Sequence, residues 1–511
     1  MESLSQNSAM VGQLCYKQVQ KVRGQGEMPF IESSRAKQWL FPPTLDEMVA
    51  GDHEVRFVAE FVERLDLRKL GIDPDPAPEG RPSYSPRVLL ACWTYGFMVR
   101  VRSTRKLEEA CRERLSFMWL TGMTHPDHNT LWSFYKENRE GVRRVFKETV
   151  AVAHRLELTS LVEHALDGTK VQASASKERS LGKEALEKLG QRVDEQIEEL
   201  ERQNKDEEAE GGGNRQLPGA LRRAEDLKKK IEEALQEVEK NGGGEVNLTD
   251  SDAKFMKGRR GIEVSYNGQV VVERKGGIIV GADVVNEAND KGQLGPMLGQ
   301  VKENVGTNAE ETVADAGYYS GANIAQCRRE GIDVVIPDQQ ASSQRGPVEW
   351  AYHRSHFDYE AEGDIYRCPQ GQVLSFTHLK SRGGREIRVY RGQGCETCGM
   401  RGECTRDPRG RTVEREPFAE EVAMHAEKMK GEAAQSLSRR RKEIVEPVIG
   451  ILKEQLGGGR FLLRGLKNVK AEWALLCAAH NLWKIFRQWW APAARGGCLW
   501  WGRDMAFSRA N

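Results

Sequence analysis

The stretch of sequence that decides the fold is HALDGTKVQASAS, residues 164–176. An apolar run stops at Asp167, Gly168 follows, and the chain then continues with alternating β-branched residues. The pattern predicts a strand that ends at Asp167. The acid–glycine pair is compatible with a surface hairpin turn, and also with a carboxylate held at a rigid point to bind a metal ion. Only the rest of the chain can decide between these two interpretations.

The composition restricts the class of protein. The length of 511 residues predicts two or three domains, or one domain with large insertions. With 39% hydrophobic and 30% charged residues, we expect a soluble protein that is able to build a core. The formal net charge is +1, so a DNA-binding surface would have to come from local clusters of basic residues. The N-terminal residues MESLSQNSAM do not resemble a secretory signal, and no run of about 18 apolar residues occurs. We therefore expect no membrane span and a reducing, cytoplasmic location.

Residues 43–155 show a helical pattern. Ser85 and Pro86 provide a helix start before the apolar run VLLACWTYGFMV, and another helix is predicted to begin after Ser103 or Thr104. We predict an all-helical N-terminal domain. Its short, capped helices are compatible with a helix-turn-helix DNA reader, and generic helical packing is the alternative.

The middle of the chain combines a helical insertion with sheet-forming sequence. Apolar residues at three- and four-residue spacing in 183–203, and again after Leu221, predict an antiparallel helical hairpin with a glycine-rich tip. GIEVSYNGQVVVER and GGIIVGADVV predict a β-hairpin after it. A helix, the strand ETVADAGYYS, a second helix and the strand GIDVVIPD follow. This order predicts a mixed α/β sheet.

A second acidic residue occupies the same kind of position as Asp167. Asp315 ends the fourth predicted strand and is also followed by a small residue and a glycine. If the two strands are neighbours, both carboxylates point into one crevice, where they repel each other unless a cation lies between them. Mg²⁺ or Mn²⁺ suits such oxygen ligands. The alternative is a pair of hairpin or capping aspartates.

The late segment RRRKEIVEPVIGILKEQLGGGRFLLRGL, residues 439–466, predicts a helix with a charged side. Glu446 and Lys453 are two helical turns apart, so we expect them on one side of the helix, with three arginines just before them. This arrangement fits a solvated salt-bridge surface. It also fits a phosphodiester site, which needs an acid for the metal and cations for the phosphates.

With these residues in view, the chain resembles the bacterial insertion-sequence DDE transposases, in particular the IS1182-like group and its IS4/IS5 relatives. The resemblance runs from about 42 to 485, and its individual motifs are short but occur in the family's order and spacing. They are FPPTLDEMV, YSPRVLLACWTYG, STRKLEEACR, WLTGMTHPDHNT, LDGTKVQASAS, SYNGQVVV, VADAGYYS, the cysteine block, RKEIVEPVIGILK and RGLKNVKAEWALLCAAHNLWKIF. The resemblance implies an RNase H-like fold in which Asp167, Asp315 and Glu446 form the catalytic triad and hold two Mg²⁺ or Mn²⁺ ions.

The resemblance also implies a reaction and its partners. These are metal-dependent DNA cleavage and strand transfer on double-stranded DNA, at transposon inverted repeats and at target DNA, by a homodimer in the bacterial cytoplasm, associated with the nucleoid. In related families the glutamate helix carries an arginine four residues before the glutamate and a lysine seven residues after it. Lys453 matches the lysine, and Lys442 and Arg441 are the two candidates for the arginine. The predicted phosphate-binding residues are Arg439, Arg440, Arg441, Lys442 and Lys453.

Two other functions remain open at this point. One is a metal-dependent nuclease on the same fold that cuts DNA without joining strands. The other is an inactive, transposase-derived protein that binds zinc and DNA.

Four cysteines form a block between the last predicted strand and the glutamate helix. Cys368, Cys395, Cys398 and Cys404 include one Cys-x-x-Cys pair and suit tetrahedral Zn²⁺, with free cysteines or a redox pair as alternatives. The surroundings are rich in Pro and Gly, and we predict that they are poor in strands. With little apolar material for a core, this segment is predicted to be a metal-stapled insertion that contacts DNA.

Two smaller groups of residues complete the predictions. Asn267 and Gln269 either support the active-site strand or are ordinary polar residues of a sheet. The tryptophans near the C-terminus suit core packing, a dimer contact or base stacking. The predicted organisation is a flexible N-terminus (1–42), a helical domain (43–155), a catalytic core (156–182, 245–340 and 435–486), a helical hairpin (183–244), a cysteine-rich insertion (341–434) and an aromatic tail (487–511).

Overall fold

The computed structural model describes residues 42–76, 82–209, 217–240, 242–258, 261–338, 350–382 and 385–491. The predicted flexible N-terminus, the glycine-rich hairpin tip and most of the aromatic tail lie outside the described residues. By its internal contacts the chain divides into two units, Met1–Met48 and Val49–Asn511. The helices and strands named below belong to Val49–Asn511.

The N-terminal part of this unit is helical, as its sequence pattern predicts. Ser85 precedes a helix that begins at Pro86, where the missing N–H of proline costs no hydrogen bond. The Ser103 hydroxyl accepts a hydrogen bond from the Lys106 N–H, and the Asp127 carboxylate accepts one from the Thr130 N–H. The helices are α1 (Glu54–Glu63), α2 (Leu67–Leu70), α3 (Pro86–Met98), α4 (Thr104–Glu113), α5 (Leu115–Thr121), α6 (His128–Glu137) and α7 (Arg139–Arg155).

A pair of long helices follows the first strand, β1 (Glu163–Gln172). Helices α8 (Lys183–Ala209) and α9 (Leu217–Lys240) pack together, and the short strands β2 (Ser180–Gly182) and β3 (Glu245–Asn247) pair antiparallel at their base. The helices bury an apolar seam of their own, which includes Leu186, Val193, Ile231, Ala234 and Val238. Most of these buried residues are among those whose three- and four-residue spacing predicted the helical hairpin.

The central sheet is mixed. Its other strands and helices are β4 (Lys254–Gly258), β5 (Gly261–Glu273), β6 (Ile279–Val285), α10 (Leu294–Val305), β7 (Glu311–Ala314), α11 (Gly321–Arg329) and β8 (Asp333–Val335). The strand order is β4-β5-β1-β7-β8, and β6 also pairs with β5. β5 is antiparallel to β1, β4 and β6, whereas β7 is parallel to both β1 and β8. The predicted β-hairpin and the two α–β crossovers are therefore present.

The strand that carries Asp167 is longer than predicted. β1 does not end at Asp167 but continues through Gly168 to Gln172, because β5 pairs with it along this whole length. The prediction that Asp167 ends its strand is wrong. β7 pairs only with Glu163–Leu166, so it is the neighbouring strand that stops beside Asp167.

The cysteine-rich segment is also a sheet, so the prediction that it is poor in strands is wrong. Strands β9 (Asp358–Glu360), β10 (Ile365–Arg367), β11 (Val373–Arg382), β12 (Arg385–Gly392) and β13 (Thr412–Arg415) form an antiparallel sheet, and α12 (Arg401–Cys404) lies between the last two. Its small apolar core consists of Phe357, Tyr366, Leu374, Tyr390 and Val413. The segment therefore has more apolar material of its own than its composition predicted.

The C-terminal helices are α13 (Ala419–Lys430), α14 (Glu432–Gly450) and α15 (Leu466–Ile485). The buried helix α15 packs on α3, on α7 and on the sheet strand β6. The Trp473 indole packs directly on Gly268 of β5. Its nearest ring atom lies 2.8 Å from where a β-carbon would be, so a larger residue would not fit at this position. Helices and sheet thus share one hydrophobic core.

A buried ion pair reinforces this shared core. The Arg102 guanidinium, from the segment before α4, pairs with the Glu472 carboxylate of α15 and also donates to the Arg460 carbonyl. Glu472 accepts further hydrogen bonds from the backbone N–H groups of Leu462 and Leu463. Each charge faces its counter-ion, so the pair is compatible with burial, although the Arg102 Nε has no hydrogen-bond partner within the described residues. Among the described helices, none combines the length and the apolar character needed to cross a membrane.

Two buried histidines should make the protein less stable at acidic pH. Burial lowers the pKa of His164 in β1 and of His480 in α15 to about 4, from an ordinary value of 6.5. Between pH 6.5 and pH 4 the unfolded chain therefore binds protons that the folded chain does not, and stability falls as the pH falls. The expected loss is on the order of 3 kcal/mol per histidine. Urea unfolding at pH 7.5 and at pH 4.5 measures it.

The matched variant for this test is His164→Leu. Within the described residues neither ring nitrogen of His164 has a hydrogen-bond partner, so the substitution removes the titration without breaking a hydrogen bond. We expect the variant to lose less stability between pH 7.5 and pH 4.5 than the parent protein. An equal loss in both proteins would contradict the assignment.

Candidate active site

The sheet places Asp167 and Asp315 beside each other. The last residue pair between the parallel strands β1 and β7 is Leu166 with Ala314, and the two aspartates come directly after it. Asp167 remains within β1, whereas Asp315 leaves β7 and begins the short 3₁₀ turn Ala316–Tyr318. The two carboxylates therefore meet at the point where β7 ends.

A single guanidinium bridges these two carboxylates. Arg441 of α14 lies 2.6 Å (Nη1) from the Asp167 Oδ2 and 3.1 Å (Nη2) from the Asp315 Oδ1. The Arg441 and Asp167 side chains are only 10% and 18% exposed, and Asp315 is 46% exposed. Burial raises the pKa of Asp167, Arg441 opposes this shift, and the neighbouring Asp315 adds to it. The arrangement is a pocket of negative charge that attracts a cation.

The structure does not bring Glu446 into contact with the two aspartates. On α14, Arg441, Val445 and Val448 are buried toward the sheet, whereas Glu446 is exposed. Within the described ranges Glu446 makes no hydrogen bond and no ion pair. Arg441 is therefore the residue of α14 that contacts both carboxylates.

The other predicted phosphate-binding residues have different environments. Arg440 pairs with Glu163, a buried carboxylate of β1 that also pairs with Arg274. Lys453 lies in the π-helical turn Ile451–Gln455 that continues α14, and its Nζ donates to the Lys170 carbonyl at 2.8 Å. Arg439 and Lys442 are exposed on the surface of α14.

Sequence reasoning missed a third acidic residue at this site. Asp290 lies in the loop between β6 and α10, and its Oδ1 accepts hydrogen bonds from Asn267 Nδ2 (2.6 Å) and Gln269 Nε2 (2.8 Å). Lys170 Nζ is 3.6 Å from the same oxygen. The hydroxyl of the buried Tyr318 donates to Gln269 Oε1 and so extends the network. Asp290 follows a predicted strand, and that position is the signal that could have drawn attention to it.

The four predicted zinc ligands line one small cavity. Cys368, Cys395, Cys398 and Cys404 surround a space of about 20 Å³, which is room for one water-sized particle. The backbone N–H groups of Gln372 and Arg411 donate to the sulfur atoms of Cys368 and Cys395. Burial raises the pKa of Cys404, and the three neighbouring thiols add to this shift.

Across the described parts of the chain, no three His, Cys, Asp or Glu side chains are arranged as ligands of a metal ion. The aspartates contact Arg441, and the cysteines are free thiols. Both groups nevertheless have donor atoms of the appropriate chemistry.

Comparison with known families identifies two regions of this chain. Residues 367–486, from the cysteine block through α15, match the family described as "Transposase DDE domain". Residues 43–137, the N-terminal helices, match the family described as "Transposase domain (DUF772)". Both matched domains are transposase domains, and their combination and order resemble those of the IS1182-like insertion-sequence transposases. No curated protein and no solved structure gives a significant match.

The contact of Arg441 with both aspartates predicts a measurable effect on stability. Arg441→Met leaves two carboxylates side by side without their cation, and we expect a loss of about 3 kcal/mol in the free energy of unfolding. Urea unfolding at pH 7.5 in the presence of a chelator measures this loss.

The control is Arg439→Met, which removes an exposed arginine from the same helix. It should change the free energy of unfolding by less than about 0.5 kcal/mol. If the two variants are equally stable, the guanidinium does not hold the carboxylates together.

Proposed function

We propose that this protein is a transposase that binds transposon ends and catalyses metal-dependent DNA cleavage and strand transfer. The observation that carries the proposal is the meeting of Asp167 and Asp315 at the end of β7, against the helix that bears Glu446. The match of residues 367–486 to a transposase DDE domain supports it.

The catalytic core is proposed to be RNase H-like. The mixed sheet supports this proposal, since β5 is antiparallel to β1 while β7 and β8 run parallel to each other and to β1. Helix α14 packs against β1, β5, β7 and β8, so it can present its residues to the ends of these strands.

The donor atoms at the aspartates fit divalent metal ions. Asp167 and Asp315 direct carboxylate oxygens at one cation, and such oxygens are preferred ligands of Mg²⁺ and Mn²⁺. Asp167, Asp315 and Glu446 are the residues proposed to hold two such ions. Bound divalent ions supply Lewis acidity, which makes water nucleophilic and stabilises charge on phosphodiester oxygens.

Arg441 has a proposed role in this site beyond charge balance. Its guanidinium contacts the carboxylate oxygens of Asp167 and Asp315, so a divalent ion held by these residues would compete with it. A guanidinium released from these oxygens is free to form bidentate hydrogen bonds with a phosphate. Arg441 is therefore proposed to neutralise the carboxylates when the site is empty and to bind DNA phosphate when ions are bound.

Basic residues around α14 suit a DNA backbone. Arg274, Lys275, Arg440 and Lys484 line a cleft of about 400 Å³ beside this helix. Arg439 and Lys442 add exposed charge on the same helix, and Lys453 lies on the turn after it. Because phosphate contacts supply most of the non-specific affinity for DNA, this surface is the proposed path of the duplex.

The partners are proposed from family membership. They are the inverted repeats of the transposon, the target DNA and a second copy of this chain, in the bacterial cytoplasm near the nucleoid. The N-terminal helices α1–α7 are proposed to contribute to DNA binding.

The triad assignment predicts the effect of three single substitutions. Asp167→Asn, Asp315→Asn and Glu446→Gln should each reduce cleavage of a transposon-end duplex in Mg²⁺ by roughly three orders of magnitude or more, because each removes a charged ligand. Binding of the same duplex should change little. A gel assay of nicked, cleaved and joined products measures the reaction.

The control is Glu432→Gln, an exposed glutamate in the first turn of the same helix. It should cleave like the parent protein. Cleavage that survives Glu446→Gln would remove that residue from the triad. Cleavage without joined products would instead indicate a nuclease, and binding without any cleavage in the parent protein would indicate an inactive relative.

The cysteine cavity is proposed to bind one Zn²⁺ ion. Its four sulfur donors suit tetrahedral zinc, and the N–H groups of Gln372 and Arg411 would stabilise two of them as thiolates. Gly410 supports the fit, since a β-carbon there would lie 2.9 Å from the Cys395 Cβ.

Zinc binding predicts a metal content and a local effect of its removal. We expect one zinc ion per chain by mass spectrometry, and much less in Cys398→Ser. Chelation should increase hydrogen exchange in β9–β13 because the ion fixes the turns of this sheet. The control Cys327→Ala, a buried cysteine on α11, should retain zinc. A parent protein without zinc would contradict the proposal.

A further inference from the structure

A carboxylate in the loop after β6, that of Asp290, lies against the glycines of both acid–glycine motifs. The Oδ1 atom of Asp290 is fixed by the side-chain amides of Asn267 and Gln269, both fully buried on β5. The described hydrogen bonds leave the Oδ2 atom free. One oxygen of Asp290 is therefore anchored and the other is available.

The glycines of both acid–glycine motifs make room for this carboxylate. A β-carbon on Gly168 would lie 2.6 Å from the Asp290 Oδ1, so a larger residue cannot occupy this position without displacing Asp290. A β-carbon on Gly317 would lie 3.2 Å from the Asp290 Oδ2 and 3.8 Å from the Asp315 Oδ2. The two motifs that carry Asp167 and Asp315 thus leave open the space around Asp290.

A buried amide oxygen lies at the same place. The Asn267 side chain is fully buried, and its Oδ1 has no hydrogen-bond partner within the described residues. This oxygen is 3.1 Å from the point where a Gly168 β-carbon would be. A buried acceptor without a donor costs free energy, and amide oxygens are ligands that hard cations accept.

The charges around these oxygens do not balance. Asp167, Asp315 and Asp290 contribute three negative charges, whereas Arg441 and Lys170 contribute two positive charges. The ammonium group of Lys170 is 3.6 Å from Asp290, and burial lowers its pKa. The cluster is therefore one positive charge short, and a divalent ion that displaced Arg441 would correct this deficit.

We propose that Asp290 is a further acidic residue of the active site, which helps Asp167 and Asp315 to hold a divalent cation. This inference rests on the proposed function, because it assigns a residue to the same metal-dependent site. A purely structural Asp290 would only fasten its loop to β5.

The experiment is a titration of the full-length, metal-free protein with Mn²⁺. Binding is measured by calorimetry and by the electron paramagnetic resonance signal of free Mn²⁺. Asp290→Asn is the informative variant, because its amide oxygen can still accept hydrogen bonds from Asn267 and Gln269 while the charge is lost. We expect its Mn²⁺ affinity to fall on the order of tenfold or more. The control is Glu287→Gln. It removes an exposed carboxylate of the same loop that accepts a hydrogen bond from the Gln293 side chain, and this variant should bind Mn²⁺ like the parent protein.

Gly168→Ala provides a second, independent variant. It keeps the Asp290 carboxylate but places a methyl group on its Oδ1, so Mn²⁺ affinity should fall in this variant as well. Circular dichroism and thermal unfolding without Mn²⁺ verify that each variant is folded.

The outcomes separate this inference from the proposed function. Mn²⁺ affinity within twofold of the parent in a folded Asp290→Asn protein overturns the inference, even if that variant is less stable. If Asp167→Asn then still abolishes Mn²⁺ binding, the proposed function stands without Asp290. A parent protein that binds no Mn²⁺ overturns both.

Discussion

The repulsion between Asp167 and Asp315 is the constraint on which the site depends. Parallel pairing of β1 with β7 fixes the two carboxylates side by side, and burial of Asp167 makes its charge costly. One guanidinium, that of Arg441, contacts both carboxylates and offsets one of their two negative charges. Arg441 belongs to α14. The positive charge therefore reaches the two carboxylates only when this helix is packed on the sheet. A helix that shifted along the sheet would leave two unpaired carboxylates behind.

The other acidic residues near this sheet edge are also paired with cations. In each case the cation belongs to a different segment of the chain from the carboxylate. Glu163 pairs with Arg274 and Arg440, and Asp290 lies beside Lys170. Protein cations therefore offset most of the negative charge at this sheet edge, which is covered by a helix. If divalent ions bind here as proposed, their affinity would reflect the cost of moving Arg441 as well as the quality of their own ligands.

The sequence predicted the elements of the central sheet more accurately than the limits of its strands. Alternation of apolar residues located β5 and β6, and the aspartate–glycine motifs located the two carboxylates, because these signals are local. Local sequence could not show that β1 continues past Asp167, since the continuation depends on pairing with β5. In the cysteine-rich segment β9, β10 and β13 have only three or four residues, and the longer β11 and β12 are rich in charged and polar residues, so this sheet was missed. Asp290 was missed because a loop has no periodicity, and only the tertiary fold brings it to Gly168 and Gly317.

The shared core has a consequence for how the proposed DNA binding and the proposed chemistry would be coupled. Helix α15 packs on α3 and α7 on one side and on the sheet on the other, and the buried Arg102–Glu472 pair connects the same regions. Separating the helices from the sheet would expose this core and two charges, at a cost comparable to the whole stability of a domain. The N-terminal helices are thus fixed relative to Asp167 and Asp315. DNA held by these helices would meet the carboxylates at a distance set by the fold, and not by a flexible linker.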